Sequence, residues 1–176
     1  MKMINNDILI RLRYALDIKD TDMVEIFKLG GIEIAKEDVQ KMLYNPKKSD
    51  DSVMKEEEFK ITKDMEKCSN VMLESFLNGF IVFKRGVQES RTGEEKKQVL
   101  MIKDNKNVNN IMLKKVKIAL DLSSEDMIDI LELAGVTVSK GELSAVFRKE
   151  GHRNYKECGD RYARNFLKGL AIRYRK

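Results

Sequence analysis

Apolar side chains recur at intervals of three and four residues over most of the chain, the spacing that places them along one face of an α-helix. Ile8, Leu12 and Ala15 show this spacing near the start, and Phe76 and Phe80 show it near the middle. Short polar or glycine-containing segments separate these stretches. The pattern predicts an all-α protein made of short amphipathic helices.

The pattern occurs twice along the chain, which indicates a tandem repeat. At one constant offset, the matching pairs are Asn5-Asn6 and Asn109-Asn110, Ala15 and Ala119, Asp22 and Asp126, and Gly31 and Gly135. Further on, the string Phe-Leu-x-Gly at 76–79 returns at 166–169 with a shorter offset. The offset shortens because the first copy carries additional polar residues, which we place at 47–65.

The repeat predicts two homologous helical domains, residues 1–86 and 105–176, joined by a polar linker at 87–104. Each domain is predicted to contain about four helices, with its second and third helices arranged like a helix-turn-helix. The insertion at 47–65 is predicted to be a solvated loop. Within the linker, the apolar residues 99–102 are candidates to pair or to dock elsewhere on the protein.

Domains of this size are marginally stable on their own, so we predict that the two copies pack together as an internal pseudo-dimer. Gly79 and Gly169 occupy equivalent places in the middle of the last helix of each copy. A glycine there costs on the order of 1 kcal/mol relative to alanine. Its repetition indicates a close helix approach, and these glycines are the predicted crossing point of the two copies.

Residues typical of helix ends support the predicted boundaries. Asn6 and Asn110 are predicted to be the N-caps of the first helix of each copy. Gly31 and Gly135 are predicted to end the second helix of each copy in a left-handed conformation. Ser139, followed three residues later by a glutamate, is typical of a capping box at the start of a third helix.

Composition narrows the class of protein. Hydrophobic residues make up 42% and charged residues 36% of the 176 positions, as expected for a globular protein with a core and a solvated surface. No window approaches the 18 or so apolar residues of a membrane-spanning helix, and the N-terminus does not look like a signal peptide. Two cysteines in such a chain indicate free thiols in a reducing compartment. We therefore expect a cytoplasmic protein with no membrane segment.

The net charge of +5 is concentrated in the second copy. Residues 148–176 hold 10 basic and 3 acidic side chains. Four of these basic residues recur on one face of the predicted last helix, and four lie in the segment before it. The candidate nucleic-acid or anion-binding residues are Arg148, Lys149, Arg153, Lys156, Arg161, Arg164, Lys168 and Arg175. Together they predict a phosphate-binding surface, although ordinary solvated side chains are the simpler interpretation.

Helix-turn-helix DNA binding is a related hypothesis, because Met127 to Phe147 follows the pattern helix, glycine turn, helix. The turn is longer than in the compact DNA-binding motif, and the third helix offers few side chains that read bases. Two packed helices of a bundle are therefore the favoured interpretation.

Catalysis would have to use His152, the only histidine, together with Cys158 at the start of the last helix. Cys68 occupies the equivalent place in the first copy without a nearby histidine, so a packing role explains both cysteines better. One histidine and one cysteine do not make a zinc site. No phosphate-binding loop or nucleotide motif is present. We expect no metal and no cofactor, and a protein that is not an enzyme.

Several strings of the second copy resemble the YehS-like family of bacterial cytoplasmic proteins, which are built from two copies of a domain of unknown function. The strings that carry the resemblance are Asn109-Asn110, Ala119-Leu120-Asp121-Leu122, Asp126-Met127, Ser139 to Lys149, Gly151 to Asp160 and Arg164 to Leu170. The likeness extends over both copies and is closer in the second. It implies an all-helical tandem-domain protein and transfers no reaction, ligand or catalytic residue.

Three functional hypotheses follow from the sequence. The leading one is a non-enzymatic binding module whose basic second domain contacts nucleic acid or an acidic protein. A second is a protein-interaction adaptor that uses the acidic insertion 47–65 and the basic last helix for different partners. The third is an enzyme that uses Cys158 and His152.

Overall fold

The computed structural model of the chain describes residues 4–43, 67–86, 100–102, 106–149 and 151–175. Every regular element within these ranges is an α-helix, which confirms the predicted fold class. The helices are α1 (Asn5–Leu16), α2 (Asp20–Leu29), α3 (Lys36–Leu43), α4 (Asn70–Arg85), α5 (Val108–Ala119), α6 (Ser124–Leu133), α7 (Lys140–Phe147) and α8 (Asp160–Tyr174). Each copy of the repeat contributes four of them.

Two predicted segments fall largely outside the described residues. These are the insertion 47–65 and most of the linker 87–104. Among the helices that the structure describes, none combines the length and apolar character needed to span a membrane.

Glycine residues end α2 and α6 as the sequence predicts, while the capping box predicted at Ser139 shows only its serine bond and a complete box forms at Ser123. Gly31 and Gly135 follow the C-cap residues of α2 and α6 and have φ angles of 95° and 86°, which favour a residue without a Cβ atom. The Ser139 hydroxyl accepts a hydrogen bond from the backbone N–H of Glu142 at the start of α7. Ser123 forms a reciprocal capping box with Asp126 at the start of α6.

The prediction that Asn6 and Asn110 are N-caps is wrong. The N-caps are Ile4 and Asn107, and neither uses its side chain for capping. Asn6 and Asn110 lie inside the first turns of α1 and α5, 1% and 4% exposed. Their amides bind distant parts of their own copy instead, which sequence-local capping rules do not anticipate.

The two buried asparagines make equivalent bonds in both copies. The Asn6 Oδ1 atom accepts from the backbone N–H of Cys68 at 2.9 Å, and Asn110 Oδ1 accepts from that of Cys158 at 2.8 Å. Each Nδ2 group donates to the carbonyl oxygen of the penultimate residue of the third helix, Met42 or Val146. The asparagine therefore joins the first helix, the third helix and the segment before the fourth helix.

The long last helix of each copy packs against two partners: the second helix of its own copy and the first helix of the other copy. Thus α4 lies against α2 and α5, while α8 lies against α6 and α1. The short helices α3 and α7 pack on the first and second helices of their own copies. In both contacts between the copies, the last helix of one copy meets the first helix of the other. The same two surfaces are therefore used in both directions, as in an isologous dimer. One hydrophobic core extends through both copies.

Gly79 and Gly169 do mark close helix approaches, but within each copy and not between the copies as predicted. A Cβ atom on Gly79 would overlap the Ile26 carbonyl oxygen of α2 and lie 2.8 Å from the Gly30 nitrogen. A Cβ atom on Gly169 would overlap the Ile130 carbonyl oxygen of α6. The last helix needs glycine where it crosses the second helix of its own copy, because backbone meets backbone there.

The contact of α4 with α5 contains a buried ion pair. The Lys115 ammonium group of α5 lies 3.4 Å from the Glu74 carboxylate and donates a hydrogen bond to Asn78 Oδ1. Glu74 also accepts hydrogen bonds from the backbone N–H groups of Met101 and Ile102, at 2.5 and 2.7 Å. This carboxylate therefore fixes the end of the linker, where the sequence predicts docking, as well as the contact between copies.

The equivalent contact of α1 with α8 also contains charges, but they are arranged differently. Arg11, which corresponds to Lys115 in the repeat, donates from Nε to Asp7 Oδ1 at 2.6 Å. Burial raises the pKa of the Asp7 carboxyl, while the positive charges of Arg11 and Arg164 lower it. Arg164 occupies the position that Glu74 has in the first copy. The acidic partner therefore lies on the last helix in the contact of α4 with α5, and on the first helix in the contact of α1 with α8.

Candidate functional site

The eight predicted basic residues do not form a single solvated face. Arg153, Lys156 and Arg161 are exposed, as is Lys149, while Arg148 and Lys168 are half-buried. The remaining two, Arg164 and Arg175, lie against the first copy.

Arg164 is therefore a correction to the predicted surface, whereas Arg175 is exposed and also contacts the first copy. Arg164 is 9% exposed within the contact of α8 with α1, so it does not belong to a solvated stripe. The Arg175 guanidinium lies 4.0 Å from the centre of the Tyr14 ring and donates to the Tyr14 carbonyl oxygen at 3.0 Å. It also lies 3.8 Å from the Asp17 carboxylate. Arg175 follows the end of α8 in an extended conformation, so the helical spacing does not reach it. For Arg164, the spacing alone does not show that the other copy covers it.

The basic segment before α8 folds back onto α7. The Lys156 backbone N–H donates to the Ala145 carbonyl oxygen at 3.0 Å, and its own carbonyl oxygen accepts from Asn110 Nδ2 at 2.9 Å. The Arg148 guanidinium donates to the Asn154 carbonyl oxygen at 3.3 Å. Gly151, with φ of 93°, provides the turn between them. The segment is thus positioned by backbone contacts, which leaves its basic side chains at the surface.

Beside this segment lies a pocket of about 380 Å³, which we call the basic pocket. Its polar and aromatic walls are formed by Asn107, Asn110, Lys114, Phe147, Arg148, Lys149 and Tyr155. Leu100, Met101, Ile111 and Val146 contribute apolar surface. None of the described lining residues is acidic. The pocket therefore combines positive charge with aromatic surface, and its volume falls in the range of small-molecule sites.

The basic pocket brings together two predicted residues, Arg148 and Lys149, with several that the sequence interpretation missed. Lys114, Phe147 and Asn107 belong to this second group. The repeat itself contains the signal that could have identified them. At the equivalent positions the first copy has Ile10, Leu43 and Met3. At these positions the positive charge of Lys114 and the aromatic ring of Phe147 occur only in the second copy. Duplication of the fold therefore does not account for them.

A second cavity, of about 770 Å³, lies where the N-terminal ends of α1, α4, α5 and α8 meet. Its walls come from equivalent residues of both copies, including the two cysteines. The Asn5 and Asn109 side chains there each donate to the carbonyl oxygen of the cysteine in their own copy at 3.1 Å. These paired side chains hold the helix starts in place, so their presence in both copies is explained by structure.

The candidate catalytic pair has neither an ionised thiol nor a buried histidine. Burial raises the pKa of the Cys158 thiol to about 12, with smaller contributions from Asp160 and Glu157. His152 is exposed, and its Nδ1 atom accepts a hydrogen bond from the Asn154 backbone N–H at 3.0 Å. Within the described residues, no cluster of His, Cys, Asp or Glu side chains is suited to hold a metal ion.

We expect both cysteines to react with a thiol reagent such as DTNB only on unfolding. Burial raises the thiol pKa of Cys68 and Cys158 from 9.0 to about 12, so native labelling at about pH 8 should be at least roughly a hundredfold slower than labelling of the unfolded chain. Because the folded-state pKa values are raised, the stabilisation they represent is present below pH 9 and lost between pH 9 and 12. Rapid native labelling of Cys158 but not of Cys68 would revive a nucleophilic role.

The α7 helix is poorly equipped to read DNA bases. Its exposed polar side chains are Lys140, Glu142 and Ser144. The Lys140 ammonium group is paired with the Glu125 carboxylate of α6 at 2.7 Å. Because base-specific contacts require donors and acceptors directed away from the protein, the packing role of α6 and α7 accounts for this pair of helices.

Comparison with known proteins places the chain beside relatives that have no described activity. The family model described as a protein of unknown function, DUF1456, matches residues 5–86 and again 109–176. The chain is 38% identical over 171 residues to the uncharacterized protein YehS of Escherichia coli strain K12, covering 97% of this chain and 96% of that protein. No solved structure matches the chain significantly. These similarities agree with the resemblance read from the sequence strings.

Proposed function

We propose, from the premise that the chain belongs to the DUF1456 family of proteins of unknown function, that it is a cytoplasmic, non-enzymatic protein that binds nucleic acid. The binding surface consists of the basic pocket and the adjoining segment 151–157. The observation that carries the proposal is the lining of the pocket: three basic side chains, two aromatic side chains and no acidic side chain among the described residues.

Charge distribution supports this proposal. Lys114, Arg148 and Lys149 line the pocket, and Arg153 and Lys156 are exposed on the adjoining segment. Basic side chains gathered on one region attract phosphate groups and release condensed counterions when they bind. The first copy has Ile10 in place of Lys114 and Tyr44 in place of Arg148. At these two positions the positive charge therefore occurs only in the second copy.

The aromatic residues favour nucleic acid over an acidic protein. Phe147 and Tyr155 are half-buried and line the basic pocket beside its cationic groups. The Lys117 ammonium group lies 6.0 Å from the centre of the Phe147 ring. An acidic peptide would use only the positive charges, whereas a nucleotide presents both a phosphate and a flat base. Mixed basic and aromatic surfaces are typical of nucleic-acid binding.

We expect the double variant Lys149→Glu/Arg153→Glu to bind a fluorescein-labelled oligonucleotide about tenfold or more weakly than the unmodified protein. Each phosphate contact that is lost should also reduce the slope of log K against log salt concentration by about one. The measurement is fluorescence anisotropy over a salt series. Lys28→Glu/Lys41→Glu is the matched control, because both lysines are exposed in the first copy and the net charge changes equally.

Two outcomes would overturn the proposal. One is the absence of oligonucleotide binding by the unmodified protein at low salt. The other is equal weakening by the variant and its control, which would indicate a response to net charge alone. Binding of polyglutamate in preference to the oligonucleotide would assign the surface to an acidic protein partner.

A further inference from the structure

We propose that the basic pocket takes an unstacked base, so that the ligand is single-stranded nucleic acid. This inference rests on the proposed function and specifies its substrate class. A base that enters the pocket would lie against Phe147 or Tyr155, with its backbone phosphates beside Lys114, Arg148 and Lys149.

The shape of the site favours a base over a phosphate alone. A groove that binds only the sugar-phosphate backbone needs a row of surface cations, and the exposed side chains of Lys156 and Arg153 already offer such positions. The basic pocket adds about 380 Å³ of recessed volume with apolar and aromatic walls. Such walls gain nothing from a phosphate, because desolvating a charge against apolar surface is unfavourable. They gain from a base, whose faces are apolar and whose edges carry polar groups.

Asn107 supplies a polar group that suits the edge of a base. It lines the pocket and is 4% exposed, and its Nδ2 group donates to the Met101 carbonyl oxygen at 3.1 Å. Its Oδ1 atom is buried and has no hydrogen-bond partner in the part of the chain that the structure describes. A buried acceptor without a donor is unfavourable. After a small adjustment of the pocket, an N–H group of a bound base would donate a hydrogen bond to Asn107 Oδ1.

A double helix does not fit this arrangement. Bases within a duplex are stacked on both faces and expose only their edges, so neither Phe147 nor Tyr155 could reach a face. Single strands present unstacked bases, and aromatic side chains bind such bases regardless of sequence. The inference therefore predicts selectivity for single strands with little preference among bases.

The Phe147→Leu variant tests this inference with little disturbance of the fold, since the first copy has Leu43 at the equivalent position. We expect Phe147→Leu and Tyr155→Ala each to weaken single-strand binding by about fivefold to a hundredfold, the range found for loss of one stacked base. Duplex binding and the salt slope should be unchanged, because the phosphate contacts remain. Tyr174→Ala, an exposed aromatic residue outside the pocket, is the control.

A strand with abasic sites provides a second readout that needs no protein variant. It keeps every phosphate and removes the bases, so the unmodified protein should bind it as weakly as Phe147→Leu binds the intact strand. Equal affinity for single strand, duplex and abasic strand would overturn the inference while leaving the proposed function intact. Failure to bind any of the three would overturn the proposed function itself.

Discussion

Gly79→Ala is expected to destabilise the protein by roughly 3 kcal/mol or more, at the upper end of the range for overpacked cores. The new methyl group would overlap the Ile26 carbonyl oxygen and lie 2.8 Å from the Gly30 nitrogen. Both neighbours are backbone atoms of α2, so no side chain can move aside and the helices themselves must separate. Gly169→Ala should behave similarly, because its Cβ atom would overlap the Ile130 carbonyl oxygen of α6. Urea denaturation followed by circular dichroism measures the change.

Gly141→Ala is the matched control for these glycines. The nearest atom to its Cβ position is the Ser139 hydroxyl oxygen at 3.9 Å, an ordinary contact. Alanine in a helix is favoured over glycine by about 0.5 to 1 kcal/mol, so this variant should be slightly stabilised. A Gly79→Ala variant as stable as the unmodified protein would mean that α2 and α4 do not approach as closely as described.

The helices and the duplication could be predicted from the sequence because both depend on local or repeated patterns. Apolar spacing identified the buried face of each helix, and a glycine or serine identified several of the ends. Spacing cannot identify which surface covers that face. The stripe on α4 is compatible with burial against α1 of its own copy, yet α4 packs mainly against α2 of its own copy and α5 of the other copy, and only slightly against α1. The pairing of helices therefore required the structure.

Asn6 and Asn110 show that the sequence also does not identify the bonding partners of a single residue. Asn6 and Asn110 stand at helix starts, where asparagine is commonly an N-cap. Their amides instead bind the backbone of Cys68 and Cys158, residues remote in sequence. Capping rules consider only neighbours within a turn of helix. A repeated Asn-Asn pair indicated that the residue matters to the fold, but not which bonds it forms.

The sequence could predict only part of the basic face, and the reason is related. The spacing of Arg161, Arg164 and Lys168 predicts that they share one side of α8, as helical geometry requires, whereas Arg175 follows the end of the helix. Whether that side meets solvent depends on α1, from a segment remote in sequence. Comparison of the two copies proved more informative than charge density. It separates Lys114 and Phe147, which differ from their counterparts, from the asparagines and cysteines that both copies share.

Lys115→Met is expected to destabilise the protein by roughly 3 to 5 kcal/mol, because it leaves the Glu74 carboxylate buried without its cation. Lys115 and Glu74 are 3% and 1% exposed, so water cannot replace the lost partner. Burial already lowers the pKa of the Lys115 ammonium group, with Glu74 acting in the opposite direction. Lys114→Met, a change at a half-buried neighbour on the same helix, should alter stability by no more than about 0.5 kcal/mol.

The double variant Lys115→Met/Glu74→Gln distinguishes two causes of the lost stability, which are an uncompensated buried charge and a loss of side-chain packing. Removing both charges should recover part of the stability lost in Lys115→Met, giving a favourable coupling energy in a double-mutant cycle. Recovery should be incomplete, because glutamine has one acceptor oxygen where Glu74 uses two for the N–H groups of Met101 and Ile102. If the two changes instead add independently, the pair does not stabilise the contact of α4 with α5. The contact of α4 with α5 would then depend mainly on its apolar side chains.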